Sequence, residues 1–182
     1  MTYSAAFLTV AGLVAGLNLV LTLGVIRRLR RHAELIAEAG DGRSASRPSL
    51  PPAGETPREF STLTVDHERI DRTVFGDLTL LGFFSPSCPP CQEQVDPFIA
   101  YANAMPEGHR AALAVVVGTP AEAAAFVERL RPVARVVVEP LGGPVSGAFD
   151  VDGLPAVGLV GRDGAVIRSS FEVAHLPALE VA

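Results

Sequence analysis

Two different patterns of apolar residues divide the chain. From Ala5 to Ile26 no residue is charged, and only Thr9, Asn18 and Thr22 are polar. At about 1.5 Å per residue a helix over this run is roughly 33 Å long, enough to cross a hydrocarbon core of about 30 Å. The run is apolar on all faces, so residues 5–26 read as a transmembrane helix and not as a core helix. A cleaved signal peptide would begin with positive charge and close on small residues. Here Met1 to Ser4 carry no charge, and the run ends in Arg27, Arg28, Arg30 and Arg31. Residues 27–56 read as a basic flank followed by a linker. The stretch Ala39 to Thr56, AGDGRSASRPSLPPAGET, holds almost no large apolar residue and cannot offset the entropy of ordering.

From Pro57 to Ala182 the pattern changes to that of a folded α/β domain. Phe60 to Val65 alternates as a strand does, and Asp66-His67-Glu68 reads as a turn. Leu78 to Phe84, Arg110 to Val117 and Ala134 to Val138 are near-continuous apolar runs, as expected of strands covered on both faces. Helices are expected over Cys91 to Ala104 and Pro120 to Leu130, with a short one over Gly143 to Phe149. Pro120 stands in a first helical turn, where its missing N–H costs nothing. Ala156 to Val160 and Ala165 to Ser169 flank Gly161-Arg162-Asp163-Gly164, a hairpin turn. Ala174 to Ala182 offers at most a short terminal helix. Alternating strands and helices closed by a hairpin predict a mixed sheet with a parallel part.

Composition narrows the function. The 182 residues carry a net charge of −5, and every one of the 15 basic residues is arginine. An acidic chain without a basic stripe in its soluble part is a poor nucleic-acid binder. Two cysteines exclude a multi-disulfide scaffold and a four-cysteine metal site, and the four scattered His offer no paired ligand spacing. No metal and no cofactor is expected. The four arginines after Ile26, with none before Ala5, place the C-terminal domain on the cytoplasmic side by the positive-inside rule.

The chemistry is concentrated in Ser85-Pro86-Ser87-Cys88-Pro89-Pro90-Cys91, which follows a buried strand and opens a helix. A sulfur at a helix N-terminus is favoured as thiolate by free N–H groups and the helix dipole. Cys88 is therefore the expected exposed nucleophile, and Cys91, one turn in, the more buried resolving thiol. Neither Pro89 nor Pro90 has an N–H to give to the Cys88 sulfur, so the first local donor is the Cys91 amide. The second piece is Asp152-Gly153-Leu154-Pro155, where a proline stands directly before a buried strand. Next to a CxxC, a cis Leu154–Pro155 bond is expected, packed against the dithiol and exposing the Leu154 backbone to an extended substrate.

At this point the chain resembles the thioredoxin-fold TlpA-like thiol–disulfide oxidoreductases, including the MauD-type accessory proteins of methylamine utilisation. The resemblance covers about Phe60 to Phe171 together with the membrane-anchor arrangement. It rests on LLGFFSPSCPPC (Leu80 to Cys91) and VDGLPAVGLVGRDGAVIRS (Val151 to Ser169). The pair Pro120 to Val138 matches the α–β insertion of that branch. The resemblance implies an α/β thioredoxin-like fold and disulfide exchange between Cys88, Cys91 and protein thiol clients, with a further redox partner. It also implies an extracytoplasmic domain, opposite to the arginine rule. Three departures stand out. Ser87 replaces the tryptophan that precedes the first cysteine of thioredoxins. Gly82 occupies the position of their buried acid. Glu93 is the candidate proton acceptor by analogy, against the alternative of a solvated helix-face charge.

Two rival readings remain. A peroxiredoxin-like peroxidase would need a PxxxTxxC loop; Ser85 lies three before Cys88, but Leu81 stands where the proline should be. A non-enzymatic maturation factor could hold Cu(I) or a client through two soft thiolates, without a nearby His or Met to complete the site.

Overall fold

The computed structural model describes residues 50–179; the expected membrane helix and most of the linker lie outside them. Among the described residues no helix is long and apolar enough to cross a membrane. Within the described residues seven strands and three α-helices follow in the order β1 (Ser61–Leu63), β2 (Arg69–Asp71), β3 (Thr79–Phe84), α1 (Pro89–Ala104), β4 (Ala112–Val117), α2 (Pro120–Leu130), β5 (Arg135–Glu139), α3 (Pro144–Ala148), β6 (Ala156–Val160) and β7 (Val166–Ser170).

The main sheet has the order β5-β4-β3-β6-β7. Strands β3, β4 and β5 run parallel, with Leu80 opposite Ala112 and Leu113 opposite Arg135. β6 and β7 are antiparallel additions, with Leu81 opposite Gly158 and Leu159 opposite Arg168. Every residue of β3 and β4 is buried, as a sheet covered on both faces requires. Side chains alternate between the two layers. Leu80 and Phe84 of β3 join Val95, Phe98, Phe126 and Leu130 on the side of α1 and α2. Leu81 and Phe83 join Phe60, Ile70, Phe75 and Phe149 on the other. This mixed α/β architecture is the thioredoxin-like fold, and α2–β5 is the expected additional α–β pair.

Helix α1 buries Cys91, Val95, Phe98 and Ala102, a spacing of four, three and four that lines one face. It begins two residues earlier than the pattern predicts, because Pro89 and Pro90 occupy its first turn, where no N–H is required. Helix α2 matches its predicted span, and Thr119 and Glu122 cap it reciprocally. The short α3 starts on a carboxylate: buried Glu139 accepts the amides of Val145 at 3.0 Å and Ser146 at 2.6 Å.

One expectation fails, at the start of the domain. The fold begins before Pro57. Leu50 is buried in the second layer, the Gly54 amide bonds the Val166 carbonyl, and the Val166 amide bonds the Glu55 carbonyl. One apolar residue and two backbone pairings suffice to dock the end of a segment whose composition reads as linker. At the other end, where at most a short helix is expected, the described residues form one 3-10 turn, Val173–His175. Pro177 cannot continue a helix. Instead an extended strap lies along α1: the Val173 amide bonds Gln94 Oε1 at 2.9 Å, and the Tyr101 hydroxyl donates to the Pro177 carbonyl at 2.8 Å.

Candidate functional site: a dithiol at the start of a helix

The parallel strands end on one edge of the sheet, and β3 delivers the chain there as Ser85-Pro86-Ser87-Cys88. The loop is tied to the helix it precedes. The Cys88 amide bonds the Ser85 carbonyl at 3.1 Å, the Gln92 side-chain amide holds the Pro86 carbonyl at 2.9 Å, and the Ser85 and Ser87 hydroxyls share a hydrogen bond. Cys88 is the N-cap residue of α1, in extended backbone conformation. Cys88 and Cys91 form a disulfide with their Cα atoms 5.3 Å apart.

The two sulfurs occupy different surroundings. Cys88 is half-buried, whereas Cys91 is 0% exposed and packed in the layer that holds Val95 and Phe98. The Cys91 amide points at Cys88 Sγ from 3.3 Å. With Pro89 and Pro90 at the two preceding positions, this is the one backbone amide among the described residues that bonds that sulfur. A thiolate at Cys88 would thus receive a single charge-assisted hydrogen bond in addition to the helix dipole.

The Leu154–Pro155 peptide bond is cis. Cys88 Sγ lies 3.7 Å from the Leu154 carbonyl oxygen, so the loop before β6 sits against the dithiol. β6 is antiparallel to β3, so its first residue meets the last residues of β3: Phe83 pairs with Ala156. Four of the residues singled out in the sequence, Cys88, Cys91, Leu154 and Pro155, therefore converge.

Glu93 does not join them. Two residues past Cys91 means about 200° around the helix axis, and Glu93 stands exposed. The position beneath the dithiol where thioredoxins carry an acid is filled with rings. A Cβ on Gly82 would lie 2.6 Å from both Phe84 and Phe98, whose rings meet edge to face at 5.2 Å.

Residue-level reading overlooks three contributors. Gln92 anchors the loop through Pro86. Gly118 lies beside the loop, since a Cβ there would stand 3.7 Å from Pro86 Cδ. Glu122, next to it, is held below the usual carboxylate range by the Thr119 amide and hydroxyl. A Gly directly after an all-apolar strand, as in VVVGTP, was the available signal for close approach.

No protein-family profile matches the chain, and no curated protein matches it. Solved structures do. A thiol-disulfide oxidoreductase thioredoxin domain from Bacteroides vulgatus is 11% identical, with a TM-score of 0.53 over 67% of this chain and 90% of that one. A thiol:disulfide interchange protein from Bacteroides sp. is 14% identical, with a TM-score of 0.53 over 66% and 82%. StoA from Bacillus subtilis is 20% identical, with a TM-score of 0.50 over 65% and 90%. At these identities the likeness defines the fold. The chain is a thioredoxin-fold protein.

Proposed function

We propose that this protein is a thiol–disulfide oxidoreductase that exchanges disulfides with protein clients through Cys88 and Cys91. The observation that carries the reading is the asymmetry of the pair. One sulfur is reachable, capped by the Cys91 amide and bordered by the Leu154 carbonyl. The other is fully buried one helical turn deeper.

In the reducing direction the Cys88 thiolate attacks one sulfur of a client disulfide. A Cys88–client bond forms, and the client's other sulfur leaves as thiolate. Deprotonated Cys91 then attacks Cys88 Sγ, the Cys88–Cys91 bond forms, and the client's second sulfur leaves. The client gains two electrons and the dithiol loses them. The reverse sequence donates the disulfide. The Leu154 backbone at the cis bond lies where an extended client segment would pair. A further redox partner resets the dithiol.

The uncharged run Ala5 to Ile26 supports tethering to a membrane. The arginines that follow it favour a cytoplasmic domain, so a fluorescent-protein fusion at Ala182 is expected to fluoresce and an alkaline-phosphatase fusion to stay inactive. The opposite pair of results places the domain outside.

Insulin reduction with dithiothreitol tests the chemistry. Wild type accelerates precipitation, and Cys88→Ala and Cys91→Ala do not. The Cys91→Ala variant also accumulates a mixed disulfide that Cys88→Ala cannot form. Equal activity in all three would refute the assignment.

A further inference from the structure

Three large apolar side chains stand exposed among the described residues: Leu63, Leu141 and Ile167. Only Leu141, 68% exposed, belongs to the dithiol end of the sheet. Because β3, β4 and β5 are parallel, the loops that follow them share one edge. Cys88 lies four residues past β3, Gly118 directly past β4, and Leu141 two residues past β5. Leu63 sits near the opposite end, where the Val65 amide bonds the Val136 carbonyl. Ile167 lies near the start of β7, a strand parallel in direction to β3, and so also at that far end.

Contacts connect Leu141 to the dithiol loop. Pro86 borders Gly118, the Gly118 amide bonds the Glu139 carbonyl at 3.0 Å, and Pro140 and Leu141 follow directly. The two carboxylates along this track are engaged. Glu139 is buried on the α3 amides, and Glu122 accepts from the Thr119 amide and hydroxyl. The Leu141 turn is itself fixed, by a Gly143 amide to Pro140 carbonyl bond of 2.9 Å and by Gly142 at a φ of 72°. A turn held in this way presents its leucine with little backbone ordering left to be done on binding.

We infer that Leu141 is a specificity-determining residue of the exchange reaction, receiving an apolar side chain of an extended client segment while the client's cysteine meets Cys88. The inference rests on the oxidoreductase reading. A single exposed leucine is ordinary on a protein surface. This one differs by its fixed turn, by its place on the dithiol edge, and by Ser87, which offers no apolar surface beside Cys88. Adjacent strands are about 4.8 Å apart, which separates β3 from β5 by roughly 10 Å. An extended chain advances about 3.3 Å per residue with alternate side chains on one face. At that advance the span is about three residues, so the nearest client positions that share a face with the cysteine are the second and the fourth.

The test uses the reduced full-length protein and two synthetic peptides. Each peptide carries one cysteine in a mixed disulfide with thionitrobenzoate. One has leucine at the second and fourth positions on either side of the cysteine, the other asparagine. Attack by Cys88 forms the Cys88–peptide bond and releases thionitrobenzoate, which is read by absorbance. The leucine peptide is expected to react about tenfold faster, a ratio that represents about 1.4 kcal/mol. Leu141→Asn should bring the ratio to about one, and Leu141→Met should keep it. A ratio of one in the wild type, or a ratio unchanged in Leu141→Asn, overturns the inference while leaving the oxidoreductase reading intact. No release from either peptide, or from the small disulfide dithiobisnitrobenzoate, removes both.

Discussion

The Phe98 ring occupies the space directly above Gly82, so that a Cβ at position 82 would stand 2.6 Å from it. Phe84 closes the same space from the strand, and the two rings pack edge to face at an interplanar angle of 80°. The glycine and the aromatic pair are thus one packing unit under the dithiol helix. Gly82→Ala is expected to cost about 2 kcal/mol, the usual penalty of overpacking a filled core. Denaturant unfolding reads this as a lowered midpoint with an unchanged slope. Shortening the ring in Gly82→Ala/Phe98→Leu should recover part of the loss that the two single variants add up to. An unchanged midpoint in Gly82→Ala would show that the rings move aside freely.

The proline at position 90 leaves Cys88 with one nearby amide. In an α-helix the N-cap side chain can take the N–H of either the second or the third helical residue. Here the third is Cys91, at 3.3 Å, and the second is Pro90. Pro90→Ala supplies the missing donor. It should move the iodoacetamide titration of Cys88 to lower pH, because a hydrogen bond to the thiolate favours the charged form. The dithiol form gains the same stabilisation, so the reduction potential should rise by about 30 mV for each 1.4 kcal/mol. A titration that stays in place or moves upward would show that the added amide does not reach the sulfur.

The capping of α2 makes a pH prediction. Glu122 is held below the ordinary carboxylate range by the Thr119 amide first and its hydroxyl second. A carboxylate with a depressed folded-state pKa contributes stability above its unfolded-state pKa and loses it as pH falls through the folded-state value. Wild type should therefore melt above Glu122→Gln at pH 7, and the two curves should converge as the pH drops below the usual carboxylate range. Thermal melts between pH 7 and pH 3 measure this. A constant gap across that range would mean that the side chain acts through packing and not through its charge.

Much of this was legible in the sequence, for physical reasons that differ by element. β3, β4 and β5 are buried on both faces, so their apolar runs have no polar interruptions to blur them. Helix α2 carries its own start signal in Thr119-Pro120 and Glu122. The dithiol and the cis-proline loop are local in sequence, and the antiparallel pairing of β3 with β6 is what brings them together. What escaped reading depends on contacts between distant segments. The Gln92 side chain bonding Pro86, and Gly118 lying beside it, become visible only once β3 and β4 are neighbours. Glu93 illustrates the reverse: it is near Cys91 in number, but the turn of the helix carries it away.

The start of the domain is where composition misled most, and it yields the last prediction. Leu50 is 4% exposed, and a Cβ on Gly158 would lie 2.8 Å from its Cδ1. The glycine in β6 thus leaves room for a leucine that arrives from a Pro- and Gly-rich segment. The same segment then bonds the first residue of β7 through Gly54 and Glu55, covering part of an edge that would otherwise be open. Leu50→Ala should cost about 2–5 kcal/mol, the range for truncating a buried leucine. A chain starting at Pro57 should lose at least as much as Leu50→Ala, because it forfeits the leucine and both backbone pairings. A chain starting at Arg47 should match the full domain. Urea unfolding of the two fragments and of the Leu50→Ala variant orders them. Should the Pro57 fragment prove as stable as the Arg47 fragment, residues 50–56 would be a linker after all.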